Sequence, residues 1–116
     1  IHVVGSKVLV LGATFKENCP DIRNSKVVDV VNGLVDFHCE VDVYDPWVDG
    51  DELGRTYGLC AVSEPGTLKY DAVVLAVAHR QFVDGGIDAV LPYLKERHVI
   101  YDIKSVFPLS VIDERL

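Results

Sequence analysis

The segment Lys7–Leu11 reads KVLVL and is followed directly by Gly12. Its apolar residues are continuous, without the alternation of a strand that has one face in water. A second run of this kind, Asp71–Ala78 (DAVVLAVA), is the most apolar stretch of the chain. Such runs are typical of strands covered on both faces, as they are in a parallel sheet.

Three shorter runs complete a predicted set of about five strands: Cys39–Tyr44, Leu59–Val62 and His98–Ile103. Helical segments are predicted between them. Ser25–Phe37 carries apolar residues at a helical spacing, and Ile87–Leu94 repeats the pattern around Pro92. A short helix is predicted near 51–57. Strands that alternate with helices predict an α/β fold: a three-layer, Rossmann-like parallel sheet with helices on both faces.

The composition indicates one globular domain over residues 1–116. The chain has 12.8 kDa, 49% hydrophobic residues and a net charge of −7, so we expect no nucleic-acid surface. No stretch approaches the roughly 20 apolar residues of a membrane span. Three scattered cysteines, Cys19, Cys39 and Cys60, fit reduced thiols and a cytoplasmic location. No spacing typical of a metal site or of a nucleophile with its base is present, so we expect no metal and no catalytic residue here.

A long connection, residues 12–25, follows the first predicted strand. Ligands of parallel sheets bind beyond the carboxyl ends of the strands, where such connections lie. Lys16 and Arg23 offer an ammonium group and a planar guanidinium for phosphate oxygens, and the connection ends at a helix N-terminus. The alternative is that both cations pair with Glu17 and Asp21 at the surface.

Other polar residues follow the remaining strands. Lys104 comes after the last strand and is predicted at the same edge as Lys16. His79 either touches a ligand or has a helix-capping or surface role. Asp45 either imitates a ribose-binding acid or caps a turn with the proline that follows it. Gly12-Ala13-Thr14 does not continue as G-x-G-x-x-G, so this turn does not predict a dinucleotide site. The domain alone is predicted to bind rather than to catalyse.

Residues 8–25 closely resemble the signature that opens the C-terminal domain of the UDP-glucose/GDP-mannose dehydrogenase family. They carry the Gly-x-x-Phe-Lys and Asp-x-Arg-x-Ser elements in order. Three later segments agree with the family pattern: Tyr44–Pro46, Tyr70–His79 and Tyr101–Lys104. The resemblance spans essentially the whole chain but only about the last quarter of a family enzyme. Lys104 and the sequence of residues 17–21 (ENCPD) resemble the corresponding motifs of the branch that acts on UDP-N-acetylhexosamines.

The resemblance implies a cytoplasmic NAD-dependent enzyme that oxidises the C6 hydroxyl of a UDP-sugar to a carboxylate. It implies substrate contacts from Phe15 and Lys16, and from Lys104, which stands where other members have arginine. It implies that Arg23 contacts the pyrophosphate of NAD. The expected partners are the UDP-sugar and the NAD-binding and helical domains of the parent chain, in a homo-oligomer.

The chain begins at Ile1 without an initiator methionine, and it lacks the family's glycine-flanked catalytic cysteine. We therefore expect residues 1–116 to be the C-terminal UDP-sugar-binding domain of a longer enzyme, inactive by itself. A phosphorelay receiver requires an acidic pair after its first strand, where this chain has Gly12–Thr14. The alternative that remains is a non-catalytic Rossmann-like interaction or oligomerisation module.

Overall fold

The computed structural model describes residues 5–14, 18, 20–22, 26–102 and 114–115. Its centre is a parallel sheet with the strand order β2-β1-β3-β4-β5. The strands are β1 (Lys7–Leu11), β2 (Glu40–Tyr44), β3 (Tyr70–Leu75), β4 (Leu94–Asp102) and the two-residue β5 (Glu114–Arg115). The predicted parallel α/β architecture is thereby confirmed, with four strands of five residues or more and one very short strand.

Within the ranges that the structure describes, three α-helices lie between the strands: α1 (Val27–Asp36), α2 (Gly50–Tyr57) and α3 (Arg80–Gly85). Asp49 caps α2, since its side chain accepts a hydrogen bond from the backbone N–H of Asp51 at 2.9 Å. Gly58 ends α2 with φ 69°, the left-handed conformation that glycine adopts at little cost. Across the described ranges, every helix is too short or too polar to cross a lipid bilayer.

The side chains of β1 explain why helices cover both faces of the sheet. Val8 and Val10 point into one buried cluster, and Leu9 and Leu11 point into another. The first cluster also contains Val27, Val31 and Leu53 from α1 and α2. The second contains Phe82 from α3 together with Val90, Leu94 and Ile100. A strand with apolar residues toward both layers has the continuous pattern from which the sheet was predicted.

Two of the predicted elements were wrong. Residues 59–62 do not form a strand: they lie beside β2 and make one isolated parallel bridge, between Val43 and Ala61. Residues 87–94 do not form an α-helix. They form two 3-10 turns, Ile87–Ala89 and Leu91–Tyr93, after which β4 begins. Pro92 lies inside the second turn and cannot donate the hydrogen bond that a continuing helix requires.

Candidate functional site

The strand order predicts the place of a ligand crevice at the carboxyl edge of the sheet. Because β1 lies between β2 and β3, the chain leaving β1 turns toward β2, and the chain leaving β3 turns toward β4. A ligand crevice forms at such a switch point, beyond the carboxyl ends of the two neighbouring strands. The residues that flank it are 12–14 after β1 and 76–79 after β3.

Gly12 allows these two strand ends to approach each other closely. Its φ is +95°, and a Cβ atom at this position would lie 2.5 Å from the Cβ of Val77. The backbone N–H of Val77 donates to the carbonyl of Leu11 at 3.2 Å, so the approach is held by hydrogen bonding as well as packing. A side chain at position 12 would therefore push the two sides of the crevice apart.

His79 lies between the end of β3 and the start of α3, at the carboxyl edge of the sheet, and is completely buried. Its Nε2 atom lies 2.9 Å from Oδ2 of Asp45 and 3.2 Å from Oγ1 of Thr14. Its Nδ1 atom accepts a hydrogen bond from the backbone N–H of Asn18 at 2.9 Å. Since Nδ1 accepts, the ring proton resides on Nε2, which donates toward the Asp45 carboxylate. His79 is also the residue preceding α3, but its side chain does not cap the helix, and the predicted surface role was wrong.

Asp45 joins the ends of three segments through one carboxylate. Oδ1 accepts from the backbone N–H of Trp47 at 2.8 Å, which is the predicted turn-capping bond. Oδ2 accepts from the backbone N–H of Ala13 at 2.7 Å, in addition to facing His79. The Asp45 side chain is fully buried, so these protein donors, rather than a ribose hydroxyl, are its partners in the described structure.

Asn18, farther along the long connection than Ala13 and Thr14, also belongs to this network. Besides the bond from its backbone N–H to His79, its Oδ1 atom accepts from the backbone N–H of Arg80 at 2.7 Å. Its φ is +56°, in the left-handed region that asparagine tolerates better than most residues. Two consecutive residues after β3 thus hold one residue of the connection that follows β1.

An aromatic platform lies beside the buried imidazole. The indole of Trp47 stacks on His79 with ring centroids 6.0 Å apart and an angle of 30°. The guanidinium carbon of Arg80 lies 5.2 Å from the Trp47 ring centroid, and Trp47 Nε1 donates to Gln81 Oε1 at 2.9 Å. Arg80 itself is exposed. This platform places one described cation at the carboxyl edge of the sheet.

The four residues predicted to bind ligands, Phe15, Lys16, Arg23 and Lys104, lie outside the described residues, as does Cys19. Positions two residues before the two lysines are described, since Thr14 and Asp102 are both buried at the carboxyl edge. Thr14 lies just after β1 and Asp102 is the last residue of β4, and these two strands flank β3, two spacings or about 10 Å apart. Both strands end at the same edge of the sheet, and the convergence of Lys16 and Lys104 stays a prediction.

A concavity of about 620 Å³ lies beyond the carboxyl end of β2. Its lining includes the exposed residues Asp49 and Asp51, and no lysine or arginine lines it among the described residues. A diphosphate would meet carboxylates there, so this concavity does not suit one.

In the described part of the chain, no cluster of three histidine, cysteine or acidic side chains is arranged to hold a metal ion.

Lysines near the start of β3 are paired with carboxylates. Lys69 Nζ lies 3.2 Å from Asp42, Lys95 Nζ lies 3.0 Å from Asp71, and Lys7 Nζ lies 3.3 Å from Glu40. The hydrogen bond from the backbone N–H of Lys7, at 2.9 Å, and the Lys95 ammonium hold the pKa of Asp71 below its ordinary value, against the effect of burial. These pairs support the sheet away from the crevice.

The Tyr70 hydroxyl donates to Asp42 Oδ2 at 2.6 Å in the same region. Burial opposes the ionisation of Asp42, but the hydrogen bonds from Tyr70 and Lys69 outweigh it, so the pKa of Asp42 is lowered. Burial, together with the hydrogen bond to Asp42, raises the pKa of Tyr70 to about 12. Tyr70 is therefore protonated at neutral pH and acts as a donor within the core.

The strand order, the close approach at Gly12 and the buried polar network define a doubly wound α/β domain with its crevice between β1 and β3. Residues 9–108 match the family model described as "UDP-glucose/GDP-mannose dehydrogenase family, UDP binding domain". The chain belongs to the UDP-glucose/GDP-mannose dehydrogenase family, and the resemblance stated from its sequence is confirmed.

Similar proteins of known name agree with this membership. All 116 residues align at 50% identity with UDP-N-acetyl-D-glucosamine 6-dehydrogenase of Salmonella typhi, covering 27% of that protein. The identity to the enzyme of the same name from Pseudomonas aeruginosa is 45% over the whole chain, which covers 28% of that protein. The chain thus spans about a quarter of the curated relatives it matches.

Solved structures show the same fold. UDP-N-acetyl-mannosamine dehydrogenase Cap5O from S. aureus superposes with a TM-score of 0.71 at 26% identity, over 96% of this chain and 25% of that one. A UDP-glucose dehydrogenase from Pyrobaculum islandicum gives a TM-score of 0.71 at 25% identity, over 97% of this chain and 25% of that one. The similarity covers nearly all of this chain and one quarter of each neighbour.

Sequence reasoning missed Asn18 and Trp47 as members of the candidate site. It identified Asp45 and His79 as strand-end residues without their mutual contact. The signal available for all four was position, because each lies in a segment that directly follows a strand of a parallel sheet. Their pairing depends on tertiary contacts, since His79 and Asn18 are 61 residues apart in sequence.

Proposed function

We propose that the chain is the nucleotide-sugar-binding domain of an NAD-dependent UDP-sugar 6-dehydrogenase. The observation that carries this proposal is the family match over residues 9–108, supported by 50% identity over the whole chain to a UDP-N-acetyl-D-glucosamine 6-dehydrogenase. The parent enzyme oxidises the sugar C6 hydroxyl to a carboxylate, a four-electron reaction that supplies uronic-acid precursors for polysaccharides. The names of the two relatives favour a UDP-N-acetylhexosamine as the substrate.

The proposed ligand residues are those that the family resemblance implies. Phe15, Lys16 and Lys104 contact the UDP-sugar from the connections after β1 and β4. The net charge of −7 opposes an anionic ligand, so local cations must compensate for the diphosphate. Charge-assisted hydrogen bonds contribute about 1.5–3 kcal/mol each. Two or three of them support weak binding by this domain and tighter binding once the rest of the cleft closes around the ligand.

The described residues do not fit NAD as a resident of this domain. In the turn after β1, the backbone N–H of Gly12 donates to the Tyr44 carbonyl at 2.9 Å and that of Ala13 donates to Asp45. These amides have protein acceptors and are not presented to a pyrophosphate. We therefore assign NAD, which accepts hydride in the parent enzyme, to a separate nucleotide-binding domain. Arg23 is proposed to contact its pyrophosphate from this side of the cleft.

The contribution of this chain to the reaction is then binding and enclosure. It holds the diphosphate, orients the sugar toward the other domains and covers the nucleotide-sugar as a lid that excludes water. The described residues include no nucleophile–base pair at the crevice, since His79 is buried and bonded to Asp45, Thr14 and Asn18. The domain is expected to show no dehydrogenase activity alone.

Calorimetry with the 116-residue chain tests the proposal. UDP is expected to release heat with a dissociation constant in the range of about 10 μM to 1 mM. Uridine, which keeps the base and ribose but lacks both phosphates, is the matched control and is expected to give no measurable heat. Absence of heat with UDP, together with self-association in sedimentation, would instead support an interaction or oligomerisation module.

A further inference from the structure

We propose that His79 is a positioning residue that sets the place of the ligand-binding connection after β1 by accepting the Asn18 N–H. This inference rests on the proposed function, because it takes residues 15–16 to be ligand contacts. His79 does not touch the ligand in this account. It acts through the backbone of Asn18, which lies two residues after Lys16.

The direction of the hydrogen-bond chain follows from Asp45. Its carboxylate accepts from two backbone N–H groups and can only accept from the imidazole as well. The ring proton is thereby kept on Nε2, and Nδ1 is left with a lone pair. That lone pair is what the Asn18 N–H requires. The buried acid at the end of β2 thus determines the bond that His79 makes to the connection.

The anchored residue has little freedom of its own. Asn18 is held at its backbone N–H by His79 and at Oδ1 by the backbone N–H of Arg80. Its positive φ of 56° is a conformation that few side chains adopt readily. Two residues of chain span at most about 7 Å, so only a short stretch of backbone separates this anchor from the proposed ligand residue Lys16.

Burying a polar network costs desolvation free energy that an apolar core does not. A leucine or phenylalanine at position 79 would occupy the space without the desolvation of an imidazole and a carboxylate. The network instead provides directional hydrogen bonding, with one donor and one acceptor of the imidazole at fixed positions. A connection ordered before the ligand arrives loses less entropy on binding, and this ordering raises affinity without any new contact.

Two substitutions separate the two ring nitrogens. His79→Gln keeps a donor near the Nε2 position, toward Asp45, and removes the acceptor for Asn18. His79→Asn keeps an acceptor near the Nδ1 position and removes the donor toward Asp45. Tyr70→Phe is the control, since it removes a buried hydrogen bond near the start of β3, away from the crevice. UDP affinity is measured by calorimetry, and stability by urea unfolding, on the same samples.

Positioning predicts that His79→Gln lowers UDP affinity by at least tenfold, whereas His79→Asn and Tyr70→Phe lower it less than threefold. It also predicts that affinity does not follow stability across the three variants. Equal affinities for the two His79 variants, or affinities ranked by stability, would overturn the role of His79. Wild-type chain that gives no heat with UDP would instead refute the proposed function.

A measurement on the wild-type chain keeps the proposal testable if the His79 variants do not fold. In histidine-labelled protein, the imidazole 15N shifts of His79 are expected to report a protonated Nε2 and an unprotonated, hydrogen-bonded Nδ1 at neutral pH. On adding UDP, the Asn18 amide is expected to stay protected from exchange. A protonated Nδ1, or an Asn18 amide that exchanges freely, would contradict the anchoring bond irrespective of ligand binding.

Discussion

Gly12 and Val77 approach so closely that a single added carbon at Gly12 would lie 2.5 Å from the Val77 Cβ and 2.9 Å from its backbone nitrogen. This contact joins the ends of β1 and β3, the two strands between which the crevice opens. Because Val77 N is backbone and Cβ is its stiffest side-chain atom, neither moves aside without shifting β3. The crevice therefore depends on the absence of a side chain at one residue.

Gly12→Ala is expected to lower the free energy of unfolding by about 2–4 kcal/mol, because the clash adds to the strain of a positive φ. Gly5→Ala is the matched control: its φ is +81°, but nothing lies within 4 Å of the added carbon. We expect Gly5→Ala to cost only about 1 kcal/mol. Urea unfolding of both variants measures the difference, and equal losses would show that packing against Val77 contributes nothing.

Gly33→Ala is expected to stabilise the chain by about 0.5–1 kcal/mol, because alanine loses less backbone entropy than glycine on entering a helix. Gly33 lies inside α1 and is exposed, and nothing lies within 4 Å of the methyl carbon that the substitution adds. A higher urea midpoint with an unchanged m-value checks this expectation, whereas an unchanged or lower midpoint would contradict it.

Tyr70→Phe is expected to lower the free energy of unfolding at pH 8. The variant should also lack the decrease in this free energy that ionisation of Tyr70 causes in the wild type at high pH. The hydroxyl donates to Asp42, a bond whose removal costs about 1–2 kcal/mol. The pKa of Tyr70 is raised from 10.0 to about 12, so its contribution is complete below pH 10 and disappears as the pH rises toward 12. The stability difference between variant and wild type should therefore shrink between pH 10 and pH 12 in urea titrations. A constant difference would show that Tyr70 does not titrate there.

Lys16→Ala in the full-length dehydrogenase is expected to raise KM for the UDP-sugar by about tenfold to a hundredfold, since one charge-assisted contact is lost. KM for NAD should change less than about threefold, because NAD is assigned to another domain. Lys26→Ala removes the same charge at an exposed position just before α1 and serves as the control. Initial-rate kinetics, in which the UDP-sugar and NAD are varied in turn, measure both KM values. Equal effects on both KM values, or none, would remove Lys16 from the substrate site.

The regular part of the fold was predictable because burial leaves a pattern in the sequence. β1 has apolar contacts on both faces and α1 on one, so a continuous run and a periodic stripe identified them. α3 left no such pattern, since it has six residues and buries only Phe82. The spacing of Ile87 and Val90 suits a 3-10 turn as well as a helix. The 3-10 turns form here because Gly86, with φ 59°, and Pro92 both interrupt a continuous α-helix.

The candidate site was less predictable, for a physical reason. Its network joins Asn18, Asp45 and His79, which come from three separate connections. No local propensity records such a meeting, because the contacts depend on how β1, β2 and β3 are ordered in the sheet. The strand-end rule nevertheless identified Asp45 and His79 as residues to inspect. The roles of Phe15, Lys16, Arg23 and Lys104 remain predictions, since those residues lie outside the described ranges.

The stacking of Trp47 on His79 has a practical consequence. The chain contains one tryptophan, and it lies against the imidazole that holds Asn18 and beneath the Arg80 guanidinium. Its emission consequently arises from a single, known place beside the crevice. Nucleotide arrival and rearrangement of the neighbouring backbone can then be followed in real time by stopped-flow optics, with no dye attached.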